Sequence, residues 1–600
     1  MEQKKLRTIG ASAILAAVVA AGITQMAASG ATPVEIAVDS TSTTMGPAAD
    51  SVSTTAVPEA PFTYRLGLLA GITTDNFWAF YGDEPSVWNA YVLGPTKPAL
   101  FTQAGSTGTL QAELAEQMTT AVFDENGWRV RVDLRTDLSW SDGTPVTARD
   151  LVFTFETVRR LELGGSWAEA FPEIVESMHA DSDHELRIEF AERPRLSVWP
   201  YGVGVAPIMA EHAWDTLADV VDAEQLYELS GSGDVGGGPL TLDEVSATEV
   251  RSVANPGYPI ASVPDLVTYS VLSDEAAAVA ALAAGEIDAM LSPRGLASEN
   301  LEDLVGIEMV ASPANAVRYL GFNLRRDPMS DTEFRKAVAL LLDRERLSDE
   351  IGAGPPAWSL VPKANVRWYD AGAVESITKP FRAKPANRLE AAIAGLAAVG
   401  YRWEQTPSLN ETGEWVAGAG LTIDGITPQP VTILTPGDEY DPARVDYVEE
   451  IASVLGVLGF DARPVVTDFD TVVDLVFTSG EDGVHQYDMY VLGWTLGDPA
   501  LPRHYEALFG ERGVLNNTGY GSKRFTSALE AYQGAFSHQE AKTALWEMEE
   551  ILAQDLPYLP LYTSQIVEAY RSDRVEYDDT VGLGGWQARL GGIRDVNPAD

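Results

Sequence analysis

One stretch constrains this chain more than any other. It runs from Trp128 to Arg160 and reads WRVRVDLRTDLSWSDGTPVTARDLVFTFETVRR. Trp128, Val130, Val132 and Leu134 fall on one side of it, and Arg129, Arg131, Asp133 and Arg135 on the other. That period of two belongs to a half-buried strand. Ser141-Asp142-Gly143-Thr144-Pro145 then breaks the pattern. Gly supplies positive φ and Pro ends the strand, so the cluster reads as a turn. Thr147 followed by Asp150 has the spacing of a capping box, and Leu151, Phe155 and Val158 continue at helical spacing. The residues alone therefore give strand, tight turn and capped helix.

The same logic places elements elsewhere. Tyr64 to Leu68 and Leu186 to Phe190 read as strands. Asp274 to Ala284 is an alanine-rich helix, ended by Gly285 at the position where a left-handed residue is needed. Phe334, Val338 and Leu341 line one face of a helix over residues 331–344, and Arg335 on it reads as structural. Ser537, with Glu540 as its box partner, starts a helix through Leu552. Val431 to Thr435, a helix from Pro442 to Leu458, and Val465-Val466 form a strand-helix-strand unit. That unit argues for a parallel sheet and an α/β fold.

Composition excludes more than it selects. The net charge of −47 argues strongly against a nucleic-acid backbone as partner, because phosphate binding needs a basic surface. With no cysteine, disulfides, thiolate catalysis and Cys-ligated metal are excluded, as is a lipobox anchor. Of six histidines, His179 and His184 are the nearest pair, flanked by acids and without metal-ligand spacing. Gly231, Gly233 and Gly236 match G-x-G-x-x-G, but Gly238-Pro239 and a strand-like Leu240-Thr241-Leu242 follow where a dinucleotide site needs a helix. We expect no catalytic residue, no metal and no cofactor.

Residues 1–31 read as an export signal: Lys4, Lys5 and Arg7 precede an apolar run from Ala11 to Ile23. Residues 32–61, rich in Ser, Thr, Ala and Pro, read as a disordered tether.

The wording of the opening stretch goes further than its periodicity. Leu134-Arg135, Trp140 to Pro145, Thr147-Ala148 and Asp150 resemble a signature of the family 5 extracellular solute-binding proteins, the oligopeptide, dipeptide and nickel receptors of ABC importers. Further landmarks are similar to that family in order: Gly237-Gly238-Pro239-Leu240, Asn255-Pro256-Gly257-Tyr258, Tyr319 to Asn323, Tyr487 to Pro499, Asn516 to Tyr520, and Leu556 to Tyr562. The resemblance covers about residues 62–575. It implies an α/β fold of the periplasmic-binding-protein type, with two lobes joined by a hinge and three domains, the first discontinuous. Domain I would comprise 62–105, 216–315 and 556–600, domain II 106–215 and domain III 316–555.

The implied function is an extracytoplasmic receptor, expected to be a monomer, that hands peptides or a related small solute to ABC permease subunits. The residues it implies in the pocket are Trp494, Asp498, Asn323, Tyr520 and Asn517, with Trp78 and Tyr81 lining. In peptide-binding relatives an Asp soon after the matching Trp pairs with the ligand's α-ammonium; here the loop is short and only Asp498 remains. That departure, with the absent lipobox, leaves open a second reading: a regulatory or scaffolding protein of the cell envelope that keeps the fold without transport.

Overall fold

The signature folds as its pattern dictates. The computed structural model describes residues 61–596 apart from 82–86, 104–108, 164–169, 215–221, 230–234, 261–262, 292–300, 302–303, 438–441, 479–484, 497–500 and 578–592. The export signal and nearly all of the tether lie outside the described residues. Gly127–Asp133 is a strand with Val130 and Val132 fully buried and Arg131 and Asp133 exposed. Arg129 departs from the alternation: it is buried, and its guanidinium meets Asp124 at 3.0 Å. Thr147 and Asp150 form the reciprocal capping box of helix Ala148–Arg160. Leu151, Phe155 and Val158 on that helix are buried. It packs against a four-stranded antiparallel sheet ordered Val122–Asp124, Gly127–Asp133, Glu185–Phe190, Val175–Ser182.

The glycine-rich segment is a packing device. A Cβ on Gly238 would stand 2.3 Å from the Pro95 carbonyl oxygen, and one on Gly237 would stand 2.5 Å from the Trp140 ring. Asn255 fastens the segment by donating from Nδ2 to the Gly238 carbonyl at 3.0 Å.

The strands β1 (Thr63–Leu68), β2 (Leu240–Val245), β3 (Glu249–Ala254), β4 (Leu266–Val271), β5 (Ala289–Leu291), β6 (Ile307–Phe322), β7 (Val431–Pro436), β8 (Ala462–Thr467), β9 (Met489–Thr495) and β10 (Tyr558–Arg571) form one mixed sheet. Its order is β8-β7-β9-β6-β10-β5-β1-β4-β3-β2. One core gathers β1, β3, β4 and the four-stranded sheet. The opposite end of the sheet carries apolar residues on both faces, alternating as a pleat requires. Val317, Tyr319, Tyr490, Leu492 and Trp494 face one core there. Leu320, Phe322, Ile433, Met489 and Val491 face another.

β6 and β10, of 16 and 14 residues, cross from one end to the other. β10 starts at Tyr558 and Leu559 in the second end's cores and finishes at Tyr570 in the first. Their ladder breaks in the middle. Pro313 pairs with Gln565, and the next pair is Val317 with Thr563.

Two expected helices differ in extent. The segment 331–344 divides into Thr332–Leu341 and Arg344–Ile351, each capped by its own Asp, Asp331 and Asp343. The helix after Ser537 runs a turn further, to Asp555. Arg335 is buried and donates to the carbonyls of Asp555 (3.0 Å), Met329 (2.7 Å) and Ser330 (2.9 Å). It closes backbone ends and holds no carboxylate there.

Candidate ligand-binding cleft

Strand direction locates the cleft. β1 lies parallel to β4 and β5, and β7 lies parallel to β8 and β9. The last residue of β5, Leu291, stands opposite Glu568 of β10. The last residue of β9, Thr495, stands opposite Ala316 of β6, whose neighbour Val317 pairs with Thr563 of β10. The carboxyl ends of both parallel sets therefore converge, from opposite directions, on the middle of the β6–β10 ribbon. Ligands of α/β sheets bind in the crevice outside the carboxyl ends of strands. Two such edges facing each other across the β6–β10 ribbon mark the place where a crevice of that kind would lie.

Trp494 sits on that edge, one residue before the end of β9. Its ring stacks on Tyr319 at 6.4 Å with planes 11° apart, and Phe477 meets it edge-on at 5.7 Å. It is 6% exposed. The loop after it carries Asp498, which lies outside the described residues.

Asn323, Asn517 and Tyr520 sit deeper. Asn517 accepts at its carbonyl from the Tyr487 hydroxyl and an Arg325 guanidinium N–H, both at 2.7 Å. Its side-chain Oδ1 accepts from the hydroxyls of Tyr490 (2.9 Å) and Tyr558 (3.1 Å). Asn323 ties the end of β6 to the start of β9: Nδ2 donates to the Tyr487 carbonyl at 2.9 Å, its backbone N–H donates to the Asp488 carbonyl at 2.9 Å, and Oδ1 accepts from the Arg325 N–H at 3.3 Å. The Tyr520 hydroxyl donates to Asp555 at 2.7 Å. Tyr319 stacks on Tyr558 at 3.9 Å in the middle of this network. Burial holds the hydroxyl pKa of Tyr490 well above the usual phenol range, so it stays a neutral hydrogen-bonding group. The three residues lie toward the start of β9, away from its Trp494 end, with their polar atoms satisfied by the protein.

Trp78 and Tyr81 lie on a short 3-10 helix, Phe77–Tyr81, and both are fully buried in the first core. Trp78 packs on Tyr81 at 5.6 Å and on Trp214 at 6.3 Å, and the Tyr81 hydroxyl donates to the Pro207 carbonyl at 2.6 Å. The structure brings Trp494, Asn323, Asn517 and Tyr520 together at one end of the sheet and places Trp78 and Tyr81 in the other core.

A buried relay behind the Trp494 loop is absent from the sequence reading. The Leu496 carbonyl takes a hydrogen bond from His504 Nδ1 at 3.1 Å. His504 stacks on Tyr505 at 4.5 Å, and the Tyr505 hydroxyl donates to Glu549. Glu549 also accepts from the Leu360 N–H at 3.1 Å. Burial pushes the Glu549 carboxyl up to about 7 and the His504 imidazole down to about 4. The signal was present in the spacing: Leu545, Glu549 and Leu552 share one helix face. Among the described residues no cluster of His, Asp or Glu has the make-up of a metal site.

A mixed sheet whose parallel strand ends meet from both sides over a two-stranded ribbon defines the class of fold, and likeness to known proteins supplies the family. The chain belongs to the bacterial extracellular solute-binding proteins, family 5, whose middle-region model matches residues 109–516. It is 22% identical to the oligopeptide-binding protein AppA of Bacillus subtilis over 73% of this chain and 76% of that one. It is 23% identical to the probable ABC transporter periplasmic-binding protein SapA of Escherichia coli, over 78% and 81% respectively. The solved structure of Bacillus subtilis AppA with a nonapeptide superposes with a TM-score of 0.61 at 19% identity, covering 90% of this chain and 100% of that one. The fold is thus the two-lobed periplasmic-binding type, and its members are receptors, not catalysts.

Proposed function

We propose that this protein is the exported receptor of an ABC importer and that it captures oligopeptides, or a solute of similar polar make-up, between its lobes. The observation that carries the reading is the convergence of both sets of parallel strand ends over the β6–β10 ribbon. An extended peptide laid there meets backbone edges on two sides, which give affinity through main-chain hydrogen bonds. Trp494 supplies an apolar wall, and Asp498 is the acid that the family resemblance offers for a cationic ligand terminus. Asn323, Asn517 and Tyr520 act by holding that end of the sheet rigid.

The hinge is the ribbon itself, at Pro313 to Val317. Pro313 has no N–H to give the ladder, and the register skips there. This break lies at the expected border between domains I and III, and β10 crosses with β6, so 62–313 with 565–600 would move against 317–563. The protein would work as a monomer beside its permease, delivered outside the membrane by residues 1–31. No described helix is long and apolar enough to cross a membrane. That nonapeptide binding in AppA extends to a similar ligand here is tested by calorimetry of the purified chain. A pool of synthetic peptides should give saturable heat and a pool of oligosaccharides none. Saturable heat from the saccharides alone would reject the peptide assignment.

A further inference from the structure

The two lobes are joined by more than the ribbon. The segment Arg193 to Val205 belongs to the first lobe, anchored on both sides. Trp199, Val203 and Val205 are buried in its core, Trp199 Nε1 donates to the Thr119 carbonyl at 3.0 Å, and Gly204 lies against Phe101. Between these anchors the chain turns over, and Tyr201 is buried to 2% exposure in the core of the second lobe. Leu196 packs against the same core.

Five further contacts surround this plug. The Leu196 N–H donates to the Ala535 carbonyl at 2.9 Å. The Arg503 guanidinium donates to the carbonyls of Tyr201 (2.7 Å) and Ser197 (3.2 Å). Arg367 stands over the Tyr201 ring at 5.7 Å, and Arg193 stands over Phe536 at 4.3 Å. Every one of these pairs joins a residue of one lobe to a residue of the other.

We infer that Tyr201 and Arg503 form a latch that holds the lobes together without ligand, and that residues outside the cleft thereby set the receptor's affinity. The inference rests on the two-lobe receptor reading. The physical basis is that burying an aromatic side chain removes a large apolar area from water and gives the closed arrangement a favourable contribution of its own. A guanidinium capping two carbonyls adds charge-assisted hydrogen bonds that exist only when the lobes meet. Apparent affinity equals intrinsic affinity scaled by the fraction of molecules already in the binding-competent arrangement. A latch raises that fraction and slows ligand escape.

The absence of native cysteine makes the test direct. Spin labels on cysteines introduced at exposed Glu192 and Gln539 report the distance across the seam in the full chain. Without peptide, the otherwise unaltered chain should show one narrow distance. Tyr201→Ala should broaden and lengthen it. Arg503→Gln leaves both cores filled, guards against a folding defect, and should do the same to a smaller extent. Both variants should weaken binding of the synthetic peptide pool about tenfold, with faster dissociation. Unchanged distances in both variants would overturn the latch, as would a chain that is broad without peptide and variants whose affinity is unaltered. If the distances respond to the variants but the peptide pool shifts nothing, the latch stands and the peptide assignment fails.

Discussion

Glu549 offers the sharpest test of how this interior is built. Glu549 is 2% exposed, and its carboxyl faces the Tyr505 hydroxyl and the Leu360 N–H. Burial raises it from an ordinary 4.5 to about 7. A folded-state pKa above the unfolded one means the folded protein binds the extra proton between those values. Stability from this group is therefore fully present below about 4.5 and is lost as pH rises to about 7, after which it is flat. At about 1.36 kcal/mol per pH unit the loss is about 3 kcal/mol, an upper figure. Glu549→Gln keeps an acceptor for Tyr505 and Leu360 and removes the titration. Urea unfolding at pH 5 and pH 8 should show the variant near the parent at the lower pH and more stable at the higher one, by up to about 3 kcal/mol. Taking the difference between the two proteins cancels every other titrating group. A variant less stable than the parent at pH 8 would show that the ionised carboxylate is favoured there, and the reasoning would be wrong. Glu113, buried with Tyr258 donating to it at 2.8 Å and likewise pushed up to about 7, should behave the same way in the other lobe.

Three other substitutions probe separate links. Asp150→Ala removes the acceptor for the N–H groups of Thr147 (2.7 Å) and Glu211 (2.8 Å), and should cost about 2–4 kcal/mol in denaturant unfolding without changing ligand affinity. Gly238→Ala drives a methyl onto the Pro95 carbonyl oxygen 2.3 Å away, and should cost about 1–3 kcal/mol in the same assay, because backbone cannot yield as a side-chain end can. Trp494→Ala strips the wall beside the β9 edge and should weaken calorimetric peptide affinity at least about tenfold while leaving far-ultraviolet dichroism intact.

Local rules made much of this legible. The capping box at Thr147 and Asp150, the left-handed Gly285 after Ala284 and the alternation at Val130 and Val132 are each decided within one turn or one pleat. The family signature proved to be such a local machine: Trp140, Thr147 and Asp150 hold one another and the Glu211 backbone. What sequence could not separate was framing from lining. Phe77 to Tyr81 has no period that assigns a face, and tertiary partners such as Trp214 decide its burial. Asn323 and Asn517 look alike whether an asparagine meets a ligand or a tyrosine hydroxyl. Tyr201 escapes local rules altogether, because nothing nearby in sequence says that one residue of a segment joins a core its neighbours do not.

The division between a satisfied network and a broken ribbon bears on how closing works. Around Asn517 and Tyr490 every hydrogen bond closes within one lobe, so moving that lobe repacks nothing in that network. Between Pro313 and Val317 the ladder with β10 is missing, and the hydroxyl of Ser312, fully buried, has no hydrogen-bond partner among the described residues. Rotation about that point sacrifices little that is already made, whereas bending at Leu320 would break pairs to both Val491 and Leu559. With the proposed hinge, rigid lobes on a soft ribbon would leave the free energy of closing to be set by ligand and by the proposed latch. Native-state hydrogen exchange should therefore find amides at 314–317 opening with free energies well below those of Leu320 and Val491. Equal protection across β6 would place the motion elsewhere and remove the ribbon from the mechanism.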